Sequence, residues 1–231
     1  MANRPTQQTR SRLIEAGLDL FGRFGFEGAG TRAIADAAGV NLAAIKYHFG
    51  SKEGLYNAVA EYIAGQIAAH MGEAGNRLQQ ELSSAPLHPD SARRAITLLL
   101  EGLTALLVSN PATEGWARFI VREQMSPSPA FDILYERGMS QNIALLSRLV
   151  AVVCRLPQGG AQARLGALIL IGQVLVFRVA RAAVMRAMGW QEIGAGERAE
   201  IEAAIRISLA RLGPVPAGAG QDGTEQSGRK Q

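Results

Sequence analysis

The segment TRAIADAAGVNLAAIKYHFGSK, residues Thr31 to Lys52, reads as two short helices separated by a glycine turn and followed by a helix cap. The pattern predicts a helix from an N-cap at Thr31 to Ala38 and a second from a cap at Asn41 to Phe49. Gly39 suits the left-handed turn between them, and small alanines let the helices cross closely. The predicted inward side chains are Ile34, Ala35, Ala38, Val40, Ala44, Ile45 and Phe49.

The other side of the second helix is predicted to face outward, with Asn41, Leu42, Ala43, Lys46 and Tyr47. A helix with small and hydrogen-bonding side chains in its first half can enter the DNA major groove, where base edges differ. Helix N-termini attract phosphate, and they are predicted at Thr31 and at a cap on Ser51 followed by Lys52. Arg10, Arg12 and Arg32 add diffuse attraction. Capping and solvated charge are the ordinary alternative for each residue taken alone.

Composition narrows the class of protein further. The chain has 231 residues, 48% of them apolar, with one cysteine and three histidines. This predicts one or two globular domains and disfavours a disulfide scaffold or a metal site, so no cofactor is expected. The N-terminus lacks an apolar signal core, and the longest apolar run, Leu165–Phe177, contains Gly172 and Gln173. We therefore expect a cytoplasmic protein without a membrane partner.

Charge is distributed unevenly along the chain. The net charge is +4, but residues 1–52 carry seven basic side chains against four acidic ones, and no acid precedes Glu15. This excess suggests an anionic partner for the N-terminal end, although a solvated basic face is the commoner meaning of such a pattern.

Apolar residues recur three and four apart through most of the sequence, which predicts an all-α fold. A first helix is expected at Thr9–Phe24, ending at Gly25, and the helix after Ser51 is expected to reach Met71. Ser83–Pro89 resembles a linker, and residues 213–231 a disordered tail. The remaining predicted helices are Asp90–Val108, Pro111–Met125, Pro127–Cys154 with a cap at Ser126, Ala161–Met188 and Glu197–Leu212.

Three segments within Leu13 to Ile63 follow one after another: FGRFGFEGAG, TRAIADAAGV and YHFGSKEGL. In these segments the N-terminal third resembles the TetR family of bacterial transcriptional regulators. Lys46 departs from the family pattern, which often has tyrosine there. The rest is similar to the CecR-type subgroup, through NLAAIKYHFGSKEGLY, FIVREQMSPSPAFDILYE and LIGQVLVFRVARAAVMRAMGW. The DNA-contacting residues taken from the pattern and the resemblance together are Arg10, Thr31, Arg32, Asn41, Leu42, Ala43, Lys46, Tyr47, His48 and Lys52.

The resemblance implies a helix-turn-helix DNA-binding domain at residues 1–70 and an effector-binding and dimerisation domain at residues 71–212. It further implies a homodimer held by a four-helix bundle, and a repressor released from double-stranded operator DNA by a small molecule. In the CecR-type group the implied targets are efflux or transport genes. The residues proposed to face the effector are Trp116, Phe119, Arg122, Gln173, Phe177 and Arg178.

Several alternatives stay open at this point. The aromatic residues of the effector set fit ordinary core packing, and Arg118, Arg122, Glu123 and Arg178 fit either a buried salt bridge or an anion site. An enzyme is not expected, because no nucleophile with a base is apparent. A DNA-bound interaction protein without an effector, or a redox sensor through Cys154, would also carry the N-terminal segment. A helical interaction module that does not bind DNA is the remaining alternative.

Overall fold

The computed structural model describes residues 4–83, 87–108 and 113–214, and within them every regular element is a helix. The first elements are α1 (Arg4–Gly28), α2 (Thr31–Ala38), α3 (Ala43–Phe49) and α4 (Lys52–Ser83). The predicted all-α class is confirmed. The later helices are α5 (Pro89–Val108), α6 (Thr113–Met125), α7 (Pro129–Leu134), a π-helical turn (Tyr135–Met139), α8 (Ser140–Cys154), α9 (Ala161–Val179), α10 (Arg181–Met188) and α11 (Ala195–Ala210).

The helix–turn–helix forms as its apolar pattern predicts. Gly39 ends α2 in the left-handed conformation, at φ 61° and ψ 42°, which a side chain would disfavour. The inward positions Ile34, Ala35, Ala38 and Ile45 are buried. The predicted cap at Thr31 is wrong, because Gly30 holds the extended N-cap position and Thr31 is already the first helical residue.

Side-chain caps at the next two helix starts are confirmed. The Asn41 Oδ1 atom accepts a hydrogen bond from the Ala43 amide at 2.9 Å, just before α3. The Ser51 hydroxyl accepts one from the Gly54 amide at 3.1 Å in the first turn of α4. Each bond satisfies an amide that the helix itself leaves without a partner.

Helices α1 and α4 are longer than predicted. α1 continues to Gly28 across a kink at Gly25, whose φ is 76°. Phe24 is 52% exposed beside this kink, and its ring lies under the Arg23 guanidinium. α4 continues past the predicted end at Met71 to Ser83, since this stretch contains no proline to stop it. α4 therefore crosses the predicted domain boundary without a break.

The helix predicted for residues 127–154 is divided into three pieces. The cap is Ser128, not Ser126, and Pro129 takes the first helical position, which suits a residue without an amide hydrogen. A π-helical turn then separates α7 from α8. Gly138 in this turn lies against α4 so closely that an added Cβ atom would stand 3.1 Å from the Ala64 Cα.

The helix predicted for residues 161–188 breaks at Ala180, between α9 and α10. No proline or glycine marks this break, so the sequence gives no local signal for it. The last helix, α11, begins and ends two residues earlier than predicted. Residues 215–231 of the predicted disordered tail lie outside the described residues.

One face of α9 belongs to the core and another is uncovered. Ala163, Ala167, Leu170 and Val174 are buried, and the helix packs against α5 and α8. The opposite side presents exposed apolar residues, which we call the α9 stripe: Leu165, Leu168, Ile169, Leu175, Val176 and Val179. Within the described ranges, α9 is the single continuous helix whose length and apolar composition would also suit a membrane span. Length and composition are the same for a helix that faces a bilayer and for one that faces a protein partner.

Candidate nucleic-acid interface and effector site

The outward face of α3 and the turn before it is exposed as predicted. Asn41, Leu42, Ala43, Lys46 and Tyr47 are all exposed, and the Tyr47 side chain, at 79%, is the most open of the apolar ones. Ile45 points the other way into the core. We call these five residues the α3 surface. The helix thus presents hydrogen-bonding and small side chains on one side while its other side is fixed by packing.

Arg12 holds the turn that precedes the α3 surface. Its Nη2 atom donates a hydrogen bond to the Gly39 carbonyl oxygen at 3.2 Å, joining α1 to the α2–α3 turn. Sequence reasoning gave Arg12 only a diffuse attraction for phosphate. In the structure it also positions the backbone from which α3 starts.

The other cations of this end lie near aromatic rings or in solvent. The Arg10 guanidinium lies 5.3 Å from the centroid of the Phe49 ring, and the Lys52 ammonium 4.6 Å from that of Phe26. Such cation–π contacts fix long side chains at the surface. Arg32 is exposed, whereas Thr31 and His48 are half-buried. DNA contacts by all these residues stay a prediction.

The six residues predicted to face an effector do not form one site. Trp116 and Phe119 are buried in the core, where the Phe119 ring lies 4.6 Å from Tyr56. Phe177 is half-buried against the same core, and Gln173 donates to the Ser208 hydroxyl at 3.1 Å. Arg122 and Arg178, by contrast, line one open cleft. The set is therefore split between core packing, a helix–helix contact and a surface cleft.

A separate apolar cleft of about 230 Å³ lies between α4, α5, α6, the π-helical turn, α8 and α9. Leucine, isoleucine and methionine dominate its walls, and Gln124 and Asn142 are its polar side chains. None of the six predicted effector residues lines it. The repeat of apolar residues identifies these positions as core, but sequence alone does not show where core packing leaves space.

Glu123 is buried at 2% exposure without an arginine partner among the described residues. It accepts hydrogen bonds from the Tyr56 hydroxyl at 2.6 Å and from the Ser128 amide and hydroxyl at 3.1 and 2.8 Å. Burial, together with this hydrogen bond and the Glu123 charge, raises the pKa of Tyr56 well above its ordinary value. The salt bridge considered between Glu123 and a nearby arginine is thus replaced by neutral donors.

The arginines form other pairs that the sequence signals by spacing. Arg23 pairs with Asp19 at 3.2 Å and Arg118 with Glu114 at 2.6 Å, both four residues apart on a helix. Opposite charges at this spacing are neighbours on a helix surface, so these two pairs were readable from the sequence. The third contact, from Arg118 to Asp19 at 3.6 Å, joins α6 to α1. The spacing of residues in the sequence does not indicate this contact.

Cys154 is buried at 5% exposure, and burial raises the pKa of its thiol, against a smaller opposing effect of Arg93. Within the described residues, no group of three or more histidine, cysteine, aspartate or glutamate side chains is placed to hold a metal ion.

Comparison with known protein families gives one match in the N-terminal part of the chain and one in the C-terminal part. Residues 13–59 match the family described as "Bacterial regulatory proteins, tetR family". Residues 92–212 match "HTH-type transcriptional dual regulator CecR, C-terminal domain". The chain is 35% identical over 188 residues to the HTH-type transcriptional dual regulator CecR of Shigella flexneri, covering 80% of this chain and 82% of that protein.

One further relative and two solved structures agree with these matches. The regulatory protein RaaS of Mycobacterium tuberculosis is 48% identical over 64 residues, 28% of this chain and 30% of its own. A transcriptional regulator from Pseudomonas aeruginosa PAO1 superposes with a TM-score of 0.60 at 21% identity, covering 89% of this chain and 92% of its own. AibR, solved with isovaleryl coenzyme A and operator DNA, also gives 0.60, at 16% identity, covering 90% of this chain and 100% of its own. The fold and the sequence matches agree, and the chain belongs to the TetR family of bacterial regulatory proteins, in its CecR-type subgroup.

Proposed function

We propose that this protein is a homodimeric repressor that binds operator DNA through the α3 surface and releases it when a small effector binds. The observation that carries the proposal is the exposure of Asn41, Lys46 and Tyr47 beside the buried Ile45. A helix fixed on one side and open on the other can dock in a major groove without rearrangement. Residues 1–70 would hold the DNA, and residues 71–212 would sense and dimerise.

The α9 stripe supports the dimer. Its residues recur three and four apart, with exposed Gly172 at the centre, so they form one continuous face. Ile207 on α11, 61% exposed, adds another uncovered apolar side chain. Contiguous apolar surface of this kind marks an interaction site. Pairing of α9 and α11 with their copies would give the four-helix bundle that the family resemblance implies.

DNA binding is tested directly with the DNA upstream of the protein's own gene, by fluorescence anisotropy over a range of salt concentrations. We expect log affinity to fall linearly with log salt, because phosphate contacts release counterions. Tyr47→Ala and Lys46→Ala should weaken binding at least tenfold, while Arg186→Ala, exposed on α10, should leave it unchanged. A salt slope near zero, or equal affinity in all variants, would exclude groove binding by the α3 surface.

The volumes of the cavities indicate where a small-molecule effector could fit. The apolar cleft, at about 230 Å³, is smaller than the roughly 300 Å³ at which small-molecule pockets begin. Two open clefts near the α1–α6 contact are larger, at about 400 and 730 Å³. These two clefts are open to solvent and large enough for a small molecule, so the ligand-responsive regulator stays the proposal and the DNA-bound interaction protein its alternative. Efflux or transport genes are the proposed targets, and transcript levels in a deletion strain test both repression and activation.

Burial of Cys154 disfavours the redox alternative, because a thiol with a raised pKa is rarely a thiolate. An enzymatic role has no support from the family matches, which are to transcription regulators.

A further inference from the structure

Five guanidinium groups border one open cleft of about 730 Å³, where α1 and α6 meet the break between α9 and α10. α1 contributes Arg23, α6 contributes Arg118 and Arg122, and Arg178 and Arg181 flank the break at Ala180. We call this the arginine cleft. Arg178 and Arg181 are three residues apart, on either side of a break that no sequence signal predicted.

Carboxylates of the described chain balance only part of this charge. Asp19 and Glu114 pair with Arg23 and Arg118. Arg122 donates to the uncharged Arg23 carbonyl at 3.4 Å. Among the described residues, no carboxylate forms an ion pair with Arg122, Arg178 or Arg181.

Two donor atoms in the cleft are buried without a partner. The Arg178 Nη2 and Arg118 Nε atoms are shielded from solvent and, among the described residues, have no hydrogen-bond acceptor. Burial also lowers the pKa of Arg178. Arg118 and Arg178 are therefore held partly inside the protein, where a charge-assisted hydrogen bond from an accessible nitrogen of the same guanidinium to an anion is stronger than in water.

The cleft also has an apolar side. Ala117, Val121 and Met125 line it together with the arginines, and Met125 is 83% exposed. A ligand that fills this opening would therefore contact guanidinium groups as well as apolar side chains. Guanidinium forks match the oxygens of phosphate and carboxylate groups.

We propose that the arginine cleft binds an organic anion with at least two negative charges and an apolar portion, either a phosphate ester or a polycarboxylate. The inference rests on the proposed function, because it names the chemical class of the effector and a site for it outside the apolar cleft.

The position of the cleft explains how such a ligand acts on DNA binding. Arg23 lies on α1, which packs against α2 and α3. Arg178 lies on α9, which also carries the α9 stripe, and Arg181 lies at the start of α10. At the Gly25 kink an added Cβ atom would stand 2.8 Å from the Arg122 Nη1, so the Arg122 side chain of α6 lies against α1 at the kink. An anion that bridges these helices favours one arrangement of α1 and shifts the population toward it.

Isothermal titration calorimetry of the full-length protein tests the site, with hexyl phosphate and citrate as probes at matched ionic strength. We expect one or both to bind one per subunit with a Kd below 1 mM. Arg178→Met should weaken binding at least tenfold, and Arg181→Met, at the rim, provides a second variant if the first does not fold. Arg186→Met, exposed on α10 outside the cleft, is the matched control.

Preference for hexyl phosphate would identify a phosphate ester, and preference for citrate a polycarboxylate. The inference is overturned if neither probe binds up to 10 mM, or if Arg186→Met loses as much affinity as Arg178→Met. Fluorescence anisotropy with operator DNA separates this outcome from failure of the proposed function, because DNA binding is measured with neither hexyl phosphate nor citrate present. Anion binding that leaves operator affinity unchanged would overturn the assignment of the cleft as the effector site.

Discussion

The Tyr56 hydroxyl donates a 2.6 Å hydrogen bond to the Glu123 carboxylate and so joins α4 to α6. Tyr56 stands one turn after the cap that starts α4, in the part of that helix that contacts α3. Glu123 lies just before the Ser128 cap of α7 and accepts from it as well. A single buried carboxylate thus fixes three helices relative to one another.

Removing the Tyr56 hydroxyl should destabilise the fold. In Tyr56→Phe the ring still packs, but Glu123 loses one of its three donors while staying buried, at a cost of about 1–3 kcal/mol. Urea unfolding followed by circular dichroism measures the change. Tyr47→Phe serves as the control, since that ring is 79% exposed; equal stability of both variants would contradict a structural role for the bond.

The same hydroxyl predicts a decline in stability at alkaline pH. Because the pKa of Tyr56 is raised in the folded protein, its contribution is complete below about pH 10, the ordinary value, and falls as the unfolded chain ionises above it. The stability difference between wild type and Tyr56→Phe should therefore shrink above pH 10, by at most about 1.4 kcal/mol per pH unit. A difference that is constant from pH 8 to 11 would contradict this.

Gly39→Ala should weaken both folding and DNA binding. The residue has a positive φ, which costs a side chain about 1–2 kcal/mol, and the new methyl group would also meet the Arg12 guanidinium. Thermal unfolding and anisotropy with operator DNA measure the two effects. Gly30→Ala is the matched control, because nothing stands within 4 Å of a Cβ atom there. If Gly39→Ala binds DNA like wild type, the turn does not set the position of α3.

Cys154 should react slowly with a thiol reagent. At 5% exposure and with a raised pKa, it should be modified by dithionitrobenzoate at pH 8 at least a hundredfold more slowly in the folded protein than in urea. Hydrogen peroxide should leave operator affinity unchanged, in wild type and in Cys154→Ser alike. Peroxide-sensitive binding that disappears in Cys154→Ser would revive the redox sensor.

A charge in the α9 stripe should prevent dimerisation. Ile169 is 64% exposed in the single chain, and Ile169→Glu would place a carboxylate at the proposed subunit interface, where its desolvation is costly. Analytical ultracentrifugation should then show a monomer. Leu98→Glu, at a similarly exposed position on α5, should stay dimeric; the opposite result would move the interface away from α9.

The predicted positions were most accurate where local chemistry decides the structure. α2 ends at Ala38 as predicted and begins one residue before the predicted start, since Gly39 and the spacing of Ile34, Ala35 and Ala38 act within a few residues. Asn41 and Ser51 cap as expected for the same reason. Periodicity likewise predicted a helix that starts at Ala161, as α9 does.

The sequence-based predictions were wrong or incomplete where contacts between distant parts of the chain determine the structure. Ser128 is the cap of α7 because Glu123 accepts from both its amide and its hydroxyl, and nothing local distinguishes it from Ser126. The break at Ala180 carries no turn residue. The arginine cleft combines side chains from α1, α6, α9 and α10, so its composition depends on packing. The four-residue spacing of Asp19 and Arg23 and of Glu114 and Arg118 indicates two ion pairs, but not that these arginines meet in one cleft.

The length of α4 has a mechanical consequence. With 32 residues the helix is about 48 Å long, and its first turns carry the support of α3. Pivoting about its far end by only about 4° would displace the near end by about 3.4 Å, the rise of one base pair. If the proposed effector tilted α4 at its far end, this unbroken helix would therefore act as a lever and displace α3 by a full base-pair step.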